Sequence, residues 1–262
     1  MQTLTSARNP ALKELRKILG RGGLTDQGYC VAEGFHLLDE GLTSGCEVHS
    51  VFANDAAADR VEARLRGEDS PRFMILADSL FQTVATTEAT QGVVALIRPP
   101  HWTMADLFGR RSPLLVLDGI QDPGNAGTMI RAAEAFGASG VLLLKGSVSP
   151  FNPKALRASS GSVFRMPLVT GVEREQFLAE VEHRGIQLFA LMPAGQVTLE
   201  DCQLDRECAV VVGSEGQGVA EQLARRTIGI RIPTLGVESL NAAMAATVLL
   251  YEAHRQRRAG ST

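Results

Sequence analysis

Asn125 and Arg131 lie in the segment Leu117-Asp118-Gly119-Ile120-Gln121-Asp122-Pro123-Gly124-Asn125-Ala126-Gly127-Thr128-Met129-Ile130-Arg131, where an apolar run gives way to a helix-like pattern. The junction between a buried strand and the following helix is where open α/β sheets place ligand chemistry. Asp122 is a good N-cap and Pro123 a good first helical residue, so part of the segment needs no ligand to explain it. That account leaves over Asn125, and a long cation at Arg131 beside Ala132, Ala133 and Ala135. On an ideal helix the two side chains point about 120° apart. They converge only if Asn125 belongs to the preceding loop or a frayed first turn. By themselves they are either a cap and a surface residue or two members of a site.

A second segment, Val211-Val212-Gly213-Ser214-Glu215-Gly216-Gln217-Gly218, follows another apolar run. Its glycines allow a close backbone approach to a ligand. The spacing is not GxGxxG, and no GxxxxGK[ST] occurs, so neither a dinucleotide fingerprint nor a P-loop is supported. Glu215 inside such a turn asks for a partner. The third segment is Ile230-Arg231-Ile232-Pro233-Thr234-Leu235-Gly236-Val237-Glu238-Ser239-Leu240-Asn241-Ala242-Ala243-Met244-Ala245. Pro233 ends a strand because it has no N–H. Ser239 is a plausible N-cap for the helix that follows, and Leu240, Met244, Val248 and Tyr251 give that helix an apolar face, read as core.

The elements that must carry these segments follow from periodicity. The pattern predicts a basic N-terminal helix ended by Gly20, Gly22 and Gly23. It then predicts strand 29–32, helix 35–42, strand 48–53, helix 56–65, strand 73–76, helix 79–84 and strand 92–97. Pro99-Pro100 and Arg110-Arg111-Ser112-Pro113 mark a break. Beyond it come strand 114–117, helix 124–136, strand 141–144, helical turns at 153–159, helix 173–184, strands 187–191 and 209–212, helix 220–224, strand 228–232 and helix 240–255. Continuous runs such as Leu114-Leu115-Val116-Leu117 fit strands buried on both faces, hence a largely parallel sheet. The expected organisation is an N-terminal domain over 1–98, a linker over 99–112 and a second domain over 113–262.

With 262 residues, 45% of them hydrophobic and 21% charged, the chain has an ordinary globular balance that excludes wholesale disorder. A formal net charge of -3 excludes a uniformly basic nucleic-acid binder but leaves room for local patches. The first 24 residues hold five bases (Arg8, Lys13, Arg16, Lys17, Arg21) against one acid. A further group contains Lys145, Lys154, Arg157 and Arg165. The N-terminal run is either a solvated helix face or a phosphate-contacting one. The four scattered cysteines, with no CxxC, suit reduced thiols in the cytoplasm, and no metal-ligand spacing is visible. No apolar stretch approaches the ~20 residues of a membrane span, and no signal peptide is visible.

Taken together and in order, the three segments resemble the SpoU (TrmH) family of RNA ribose 2′-O-methyltransferases, within the SPOUT superfamily. The matching positions are Asn125, Gly127 and Arg131; Gly213, Glu215, Gly216 and Gly218; and Ile232, Pro233, Ser239, Leu240 and Asn241. Upstream, Ser6-Ala7-Arg8-Asn9-Pro10 and Val31-Ala32-Glu33-Gly34 look like that family's substrate-binding domain. Asn152-Pro153-Lys154 and Arg157-Ala158-Ser159 match the stretch between the first two motifs. Ala242-Ala243 departs from the Val-Ser of many members, so no hydroxyl is available at position 243.

The resemblance implies an α/β fold: a C-terminal trefoil-knotted SPOUT methyltransferase domain with a smaller N-terminal α/β substrate-binding domain. It implies S-adenosylmethionine as cofactor, held by Gly213, Glu215, Gly218, Ile232, Pro233 and Leu240. It implies a homodimer, and an RNA substrate, ribosomal in preference to transfer RNA, contacted by Arg8, Lys13, Arg16, Lys17, Lys154 and Arg157. The catalytic set would be Arg131, Asn125, Glu215, Ser239 and Asn241. An arginine is a poor base because it stays protonated. The role expected of Arg131 is therefore to orient the 2′-hydroxyl and stabilise its developing negative charge, with a substrate phosphate as a possible proton acceptor. The alternative is a non-catalytic RNA-binding or ribosome-assembly protein on the same fold.

Overall fold

The computed structural model describes residues 2–4, 6, 8–65 and 71–260; Ala7 of the N-terminal motif lies outside them. The described residues fall into two compact units, one of Met1–His101 with Ser149–Arg165, the other of Trp102–Val148 with Met166–Thr262.

The first unit contains β1 (Gln2–Leu4), α1 (Pro10–Arg21), β2 (Cys30–Glu33), α2 (Phe35–Thr43), β3 (Glu47–Asn54), α3 (Ala58–Arg64), β4 (Arg72–Leu76), α4 (Asp78–Phe81) and β5 (Val93–Arg98). Asn9 caps α1 by accepting from the Ala11 N–H at 2.9 Å, Pro10 is its first residue, and Gly22 closes it with φ +65°. That is the proline-in, glycine-out pattern of a well-signalled helix. The strands form a five-stranded mixed sheet in the order β1-β4-β3-β5-β2. Leu12, Leu15 and Ile18 of α1 are buried against Phe52, Phe81, Val94 and Leu96. The bases of α1 lie between those apolar positions, with Lys13 and Lys17 exposed.

The second unit contains β6 (Pro113–Asp118), α5 (Pro123–Ala135) and β7 (Gly140–Leu144). The chain then lends α6 (Pro153–Ser159) to the first unit. It returns with β8 (Leu168–Val172), α7 (Arg174–Arg184), β9 (Gln187–Leu191), β10 (Val197–Thr198), β11 (Cys208–Gly213), α8 (Glu221–Ala224), β12 (Ile228–Arg231) and α9 (Ala242–Ala259). Its sheet has seven strands in the order β10-β12-β9-β11-β6-β7-β8, every pairing parallel. Leu114, Val116, Leu142, Phe177, Val211 and Leu223 form its main core. The continuous apolar runs thus belong to central strands covered on both faces.

Four expectations change. The segment Trp102–Ser112 is part of the second unit rather than a linker, because Leu107, in a short 3₁₀ turn, is fully buried in that core. The stretch Ser149–Arg165, expected in the second domain, packs with the first because α6 lies on β2. The last helix starts at Ala242, and its N-cap is Asn241, not Ser239: the Asn241 side chain accepts from the N–H groups of Ala243 (2.9 Å) and Met244 (3.3 Å). The buried residues of α9 are Ala242, Ala243, Ala246, Leu249, Leu250 and Ala253, and the helix packs on α5, whose own buried residues include Ala126, Gly127, Ile130 and Ala133. Met244, Val248 and Tyr251, read as core, are 59%, 41% and 55% exposed. The physical reason is that apolar residues occur around much of α9, so its packing against α5 and β11, not the spacing of the large apolar residues, sets which face is covered.

This capping arrangement predicts that Asn241→Ala costs about 1 kcal/mol of stability, the usual effect of losing a side-chain cap. Ser239→Ala should change stability by less than about 0.5 kcal/mol, as for a surface position away from such features. Urea denaturation of the two variants checks this. An equal or larger loss for Ser239→Ala would return the cap to Ser239.

Candidate active site

The C-terminal ends of β6, β11 and β12 bring the three sequence segments to one edge of the parallel sheet, with β9 between β11 and β12. Buried Asp118 ends β6. Its Oδ1 accepts from Arg174 Nε (2.8 Å) and Nη2 (2.7 Å), and its Oδ2 accepts from the Ala220 N–H at 2.8 Å. Both oxygens of one buried carboxylate therefore tie the start of α7 and the exit of the glycine turn to the sheet. A buried carboxylate needs such partners to stay charged. Motif reading missed Asp118 and Arg174; an acid closing an apolar strand was the available signal.

The glycine turn starts at Gly213. A Cβ there would stand 2.1 Å from the Gly218 carbonyl carbon, so the chain closes on itself at a place where only glycine fits. The Gly218 N–H donates to the Ser214 carbonyl at 2.8 Å, and Gly218 takes φ +67°. This tight loop holds Glu215 on its tip. The Asn125 amide donates to Glu215 Oε1 at 3.0 Å, and the Asn241 amide donates to the same oxygen. Asn241 Nδ2 also lies 3.4 Å from Asn125 Oδ1. Three of the expected catalytic residues, each from a different segment, therefore meet. Asn125 reaches the cluster from the first turn of α5, where its own N–H is held by Asp122 Oδ1 at 2.9 Å.

Arg131 stands apart from this cluster. It is exposed on α5, six residues beyond Asn125, and makes no hydrogen bond or ion pair among the described residues. Ser239 lies in the loop before α9.

A cleft of about 340 Å³ opens beside the cluster. It is lined by Gly213, Glu215, Gly218, Ile232, Pro233 and Leu240, and also by Ser239. All six positions expected to hold a cofactor thus share one cavity, of a size that suits a small-molecule site. Leu191, which ends β9, and Met192 and Pro193 just after it line it too and were not anticipated; the proline just after an apolar strand was the only hint. The walls combine aliphatic residues with residues of the glycine turn, and Glu215 and Glu238 are among them. Such a cleft fits a ligand with a flat apolar part and a cationic centre, which is the chemistry of S-adenosylmethionine.

The expected RNA contacts lie in the first unit. Arg8 is exposed, Lys13 and Lys17 are exposed on α1, and Lys17 pairs with Asp26 at 3.1 Å. Arg16 donates to Thr83 Oγ1 from Nη2 at 2.7 Å. On α6, Lys154 is exposed and Arg157 is half-buried, donating to Thr86 Oγ1 at 2.6 Å. Burial pushes the Cys30 and Cys208 thiols up, Cys208 to about 12, so neither is a ready thiolate nucleophile.

The model of the SpoU rRNA Methylase family matches residues 112–251, and that of an MRM3-like substrate binding domain matches residues 9–95. The chain is 37% identical to an uncharacterized tRNA/rRNA methyltransferase of Synechocystis sp., covering 99% of this chain and 96% of that relative. It is 31% identical to the 23S rRNA (guanosine(2553)-2′-O)-methyltransferase RlmP of Bacillus subtilis, covering 96% and 98%. Among solved structures it is similar to the SpoU methyltransferase AviRb of Streptomyces viridochromogenes in complex with AdoMet. The TM-score is 0.84 at 25% identity, covering 96% of this chain and 99% of that one. An AdoMet-bound rRNA methyltransferase of Sinorhizobium meliloti aligns with TM-score 0.83 at 28% identity, covering 97% of each chain. With this fold, these three segments and a family match over more than half its length, the chain belongs to the SpoU rRNA methylase family.

Proposed function

We propose that the protein transfers a methyl group from S-adenosylmethionine to a ribose 2′-hydroxyl of RNA, and of ribosomal RNA in particular. The observation that carries this reading is the single cleft formed by the six expected cofactor positions, with the Asn125–Glu215–Asn241 cluster beside it. The Bacillus subtilis relative, similar over nearly its whole length, is named a 23S rRNA 2′-O-methyltransferase, which supports the ribosomal assignment. When bound, S-adenosylmethionine supplies an electrophilic methyl group on a positively charged sulfur. Gly213, Gly218, Ile232, Pro233 and Leu240 would hold it, with the carboxylate of Glu215 complementing its charge.

The chain must then bring a weak nucleophile into line and stabilise the negative charge that grows on its oxygen. Arg131 is assigned that part: a planar guanidinium offers two parallel N–H groups to an oxyanion, and among the described residues it has no competing partner. Asn125 and Asn241 fix the direction of Glu215, and Ser239 offers a hydroxyl at the cleft wall. The trefoil knot implied by the family resemblance is part of the same reading, and the segments before β10 and at the end of β12 approach closely. A Cβ at Gly195 would lie 2.4 Å from the Ile230 carbonyl carbon, and β12 is seated between β10 and β9.

A homodimer follows from the same reading. Met244, Val248 and Tyr251 make an outward apolar stripe on α9 at helical spacing, and the edge of the Tyr251 ring packs on Phe136 at the end of α5. A second copy covering that stripe would approach α5, the helix of Arg131. The cytoplasm suits four cysteines that are all unpaired, and no helix of the described residues is long and apolar enough to cross a membrane. Lys13, Arg16, Lys17, Lys154 and Arg157, with Arg8, form the proposed RNA surface.

Arg131→Ala is expected to lower single-turnover methyl transfer by roughly 100-fold or more, the scale of losing one oxyanion donor. Cofactor affinity should stay unchanged. Arg131→Lys should also be poor, because an ammonium lacks the planar fork. Wild-type rates for Arg131→Ala would remove this residue from the mechanism. For the dimer, the double variant Met244→Glu, Tyr251→Glu should sediment as a folded monomer with little activity, since two charges would have to be buried at the shared face. A wild-type protein that is monomeric and active at micromolar concentration would overturn the dimer.

A further inference from the structure

The first unit contains a buried carboxylate with no part in the chemistry above. Glu33, at the end of β2, is 5% exposed. Its Oε2 accepts from the Thr86 N–H at 2.6 Å and from the Thr86 hydroxyl, and its Oε1 accepts from the Thr87 hydroxyl at 2.8 Å. Three donors thus converge on one carboxylate from a loop that no helix or strand orders. The far end of the same loop is also fastened: Gln91 Oε1 accepts from the Phe35 N–H at 2.9 Å, at the start of α2.

The direction of these bonds has a consequence. A hydroxyl has one proton to give. Thr86 gives its proton to Glu33, so the Thr86 oxygen presents only lone pairs on its other side. Arg157 Nη1 donates to that oxygen at 2.6 Å. The chain Arg157→Thr86→Glu33 therefore runs in one sense from a cation to a buried anion, and each bond polarises the next. Arg157 belongs to α6, the segment that leaves the second unit after Val148 and lies on β2. Where α6 begins, the end of α1 abuts it: a Cβ at Gly22 would stand 2.6 Å from Asn152 Nδ2. Fixing α6 thus also brings Lys154 and Arg157 next to the basic helix α1.

We infer that Glu33 and Thr86 are positioning residues for RNA. Through the Thr86 hydroxyl, Glu33 holds Arg157 so that the remaining edge of its guanidinium faces an RNA phosphate beside α1. The inference rests on the reading of this unit as the RNA surface. Nη1 is committed to Thr86, while Nε and Nη2 have no partner among the described residues and form the fork that matches a phosphate. A pre-fixed arginine loses less side-chain freedom on binding than a mobile one.

The test uses the full-length protein, S-adenosylmethionine and protein-free ribosomal RNA, with folding of each variant confirmed by its thermal transition. Thr86→Val keeps the shape and removes the hydroxyl. It is expected to raise the RNA KM by about tenfold, the scale of one charge-assisted hydrogen bond, with kcat and cofactor affinity unchanged. Thr86→Ser restores the hydroxyl and should restore the KM. Glu33→Gln leaves an acceptor for Thr86 but removes the charge that polarises its hydroxyl, and should raise the KM by less than Thr86→Val. Arg157→Ala should also raise the KM, and adding Thr86→Val to it should cause no further loss, because both act through one contact. A wild-type KM for Thr86→Val, no rescue by Thr86→Ser, or full additivity with Arg157→Ala would overturn the proposal. A normal KM for Arg157→Ala would overturn it too. In that case Lys13→Ala and Lys17→Ala separate the two readings: weakened binding leaves the RNA surface on this unit standing, and unchanged binding removes both.

Discussion

One oxygen of Glu215 receives two amide groups, from Asn125 at the start of α5 and from Asn241 at the start of α9. Those two helices and the glycine turn come from parts of the chain far apart in sequence, and the carboxylate is where they are brought into register. Asn241 has a second duty, since its oxygen caps α9 while its nitrogen reaches Glu215. The start of the helix and the site geometry are therefore one arrangement. Hydrogen bonds to a charged group contribute about 1.5–3 kcal/mol when shielded; Glu215 is exposed, so water weakens them here and their main effect is directional.

Behind that cluster the sheet supplies rigidity. The strands that end at the site are central ones, with Val116, Val211 and their neighbours fully buried, and such strands do not shift without opening the core. Asp118 extends that rigidity outward by binding Arg174 and the Ala220 N–H together, so the exit of the glycine turn is fixed as firmly as its entry. A site that must hold a methyl donor and a sugar hydroxyl in line gains from this, because small misplacements are costly in group transfer.

The first unit uses the same device in another setting. Glu33, like Asp118, is a buried acid at the end of a strand whose oxygens order an irregular loop. In the proposed reading, what it orders is a surface of bases rather than a cavity. Its sheet takes α6 on β2, so a segment contributed from between β7 and β8 becomes part of the basic face. The formal net charge of -3 therefore hides a local concentration of positive charge, which is what phosphate recognition requires.

Much of this was legible in the residues. Apolar runs marked β6, β7, β9 and β11 because central parallel strands are buried on both faces, Asp122-Pro123 marked where α5 begins, and Gly22 marked where α1 ends. The ordered motifs named the family and the positions that line the cleft. Other features were not legible. β8 carries Gly171 and an exposed Thr170 at the sheet edge, and β10 is two residues long, so neither has a periodic signal. The face of α9 was misread, because a helix apolar around much of its circumference leaves that choice to its neighbours, and packing covered the alanines with Leu249 and Leu250 and left Met244, Val248 and Tyr251 exposed. The cap fell to Asn241 rather than Ser239 because α9 begins at Ala242, and the same Asn241 side chain also reaches Glu215. The sequence alone determined which residue types were available and where elements start; the tertiary structure decided which of them meet, since contacts between distant segments depend on packing distances that no local pattern encodes.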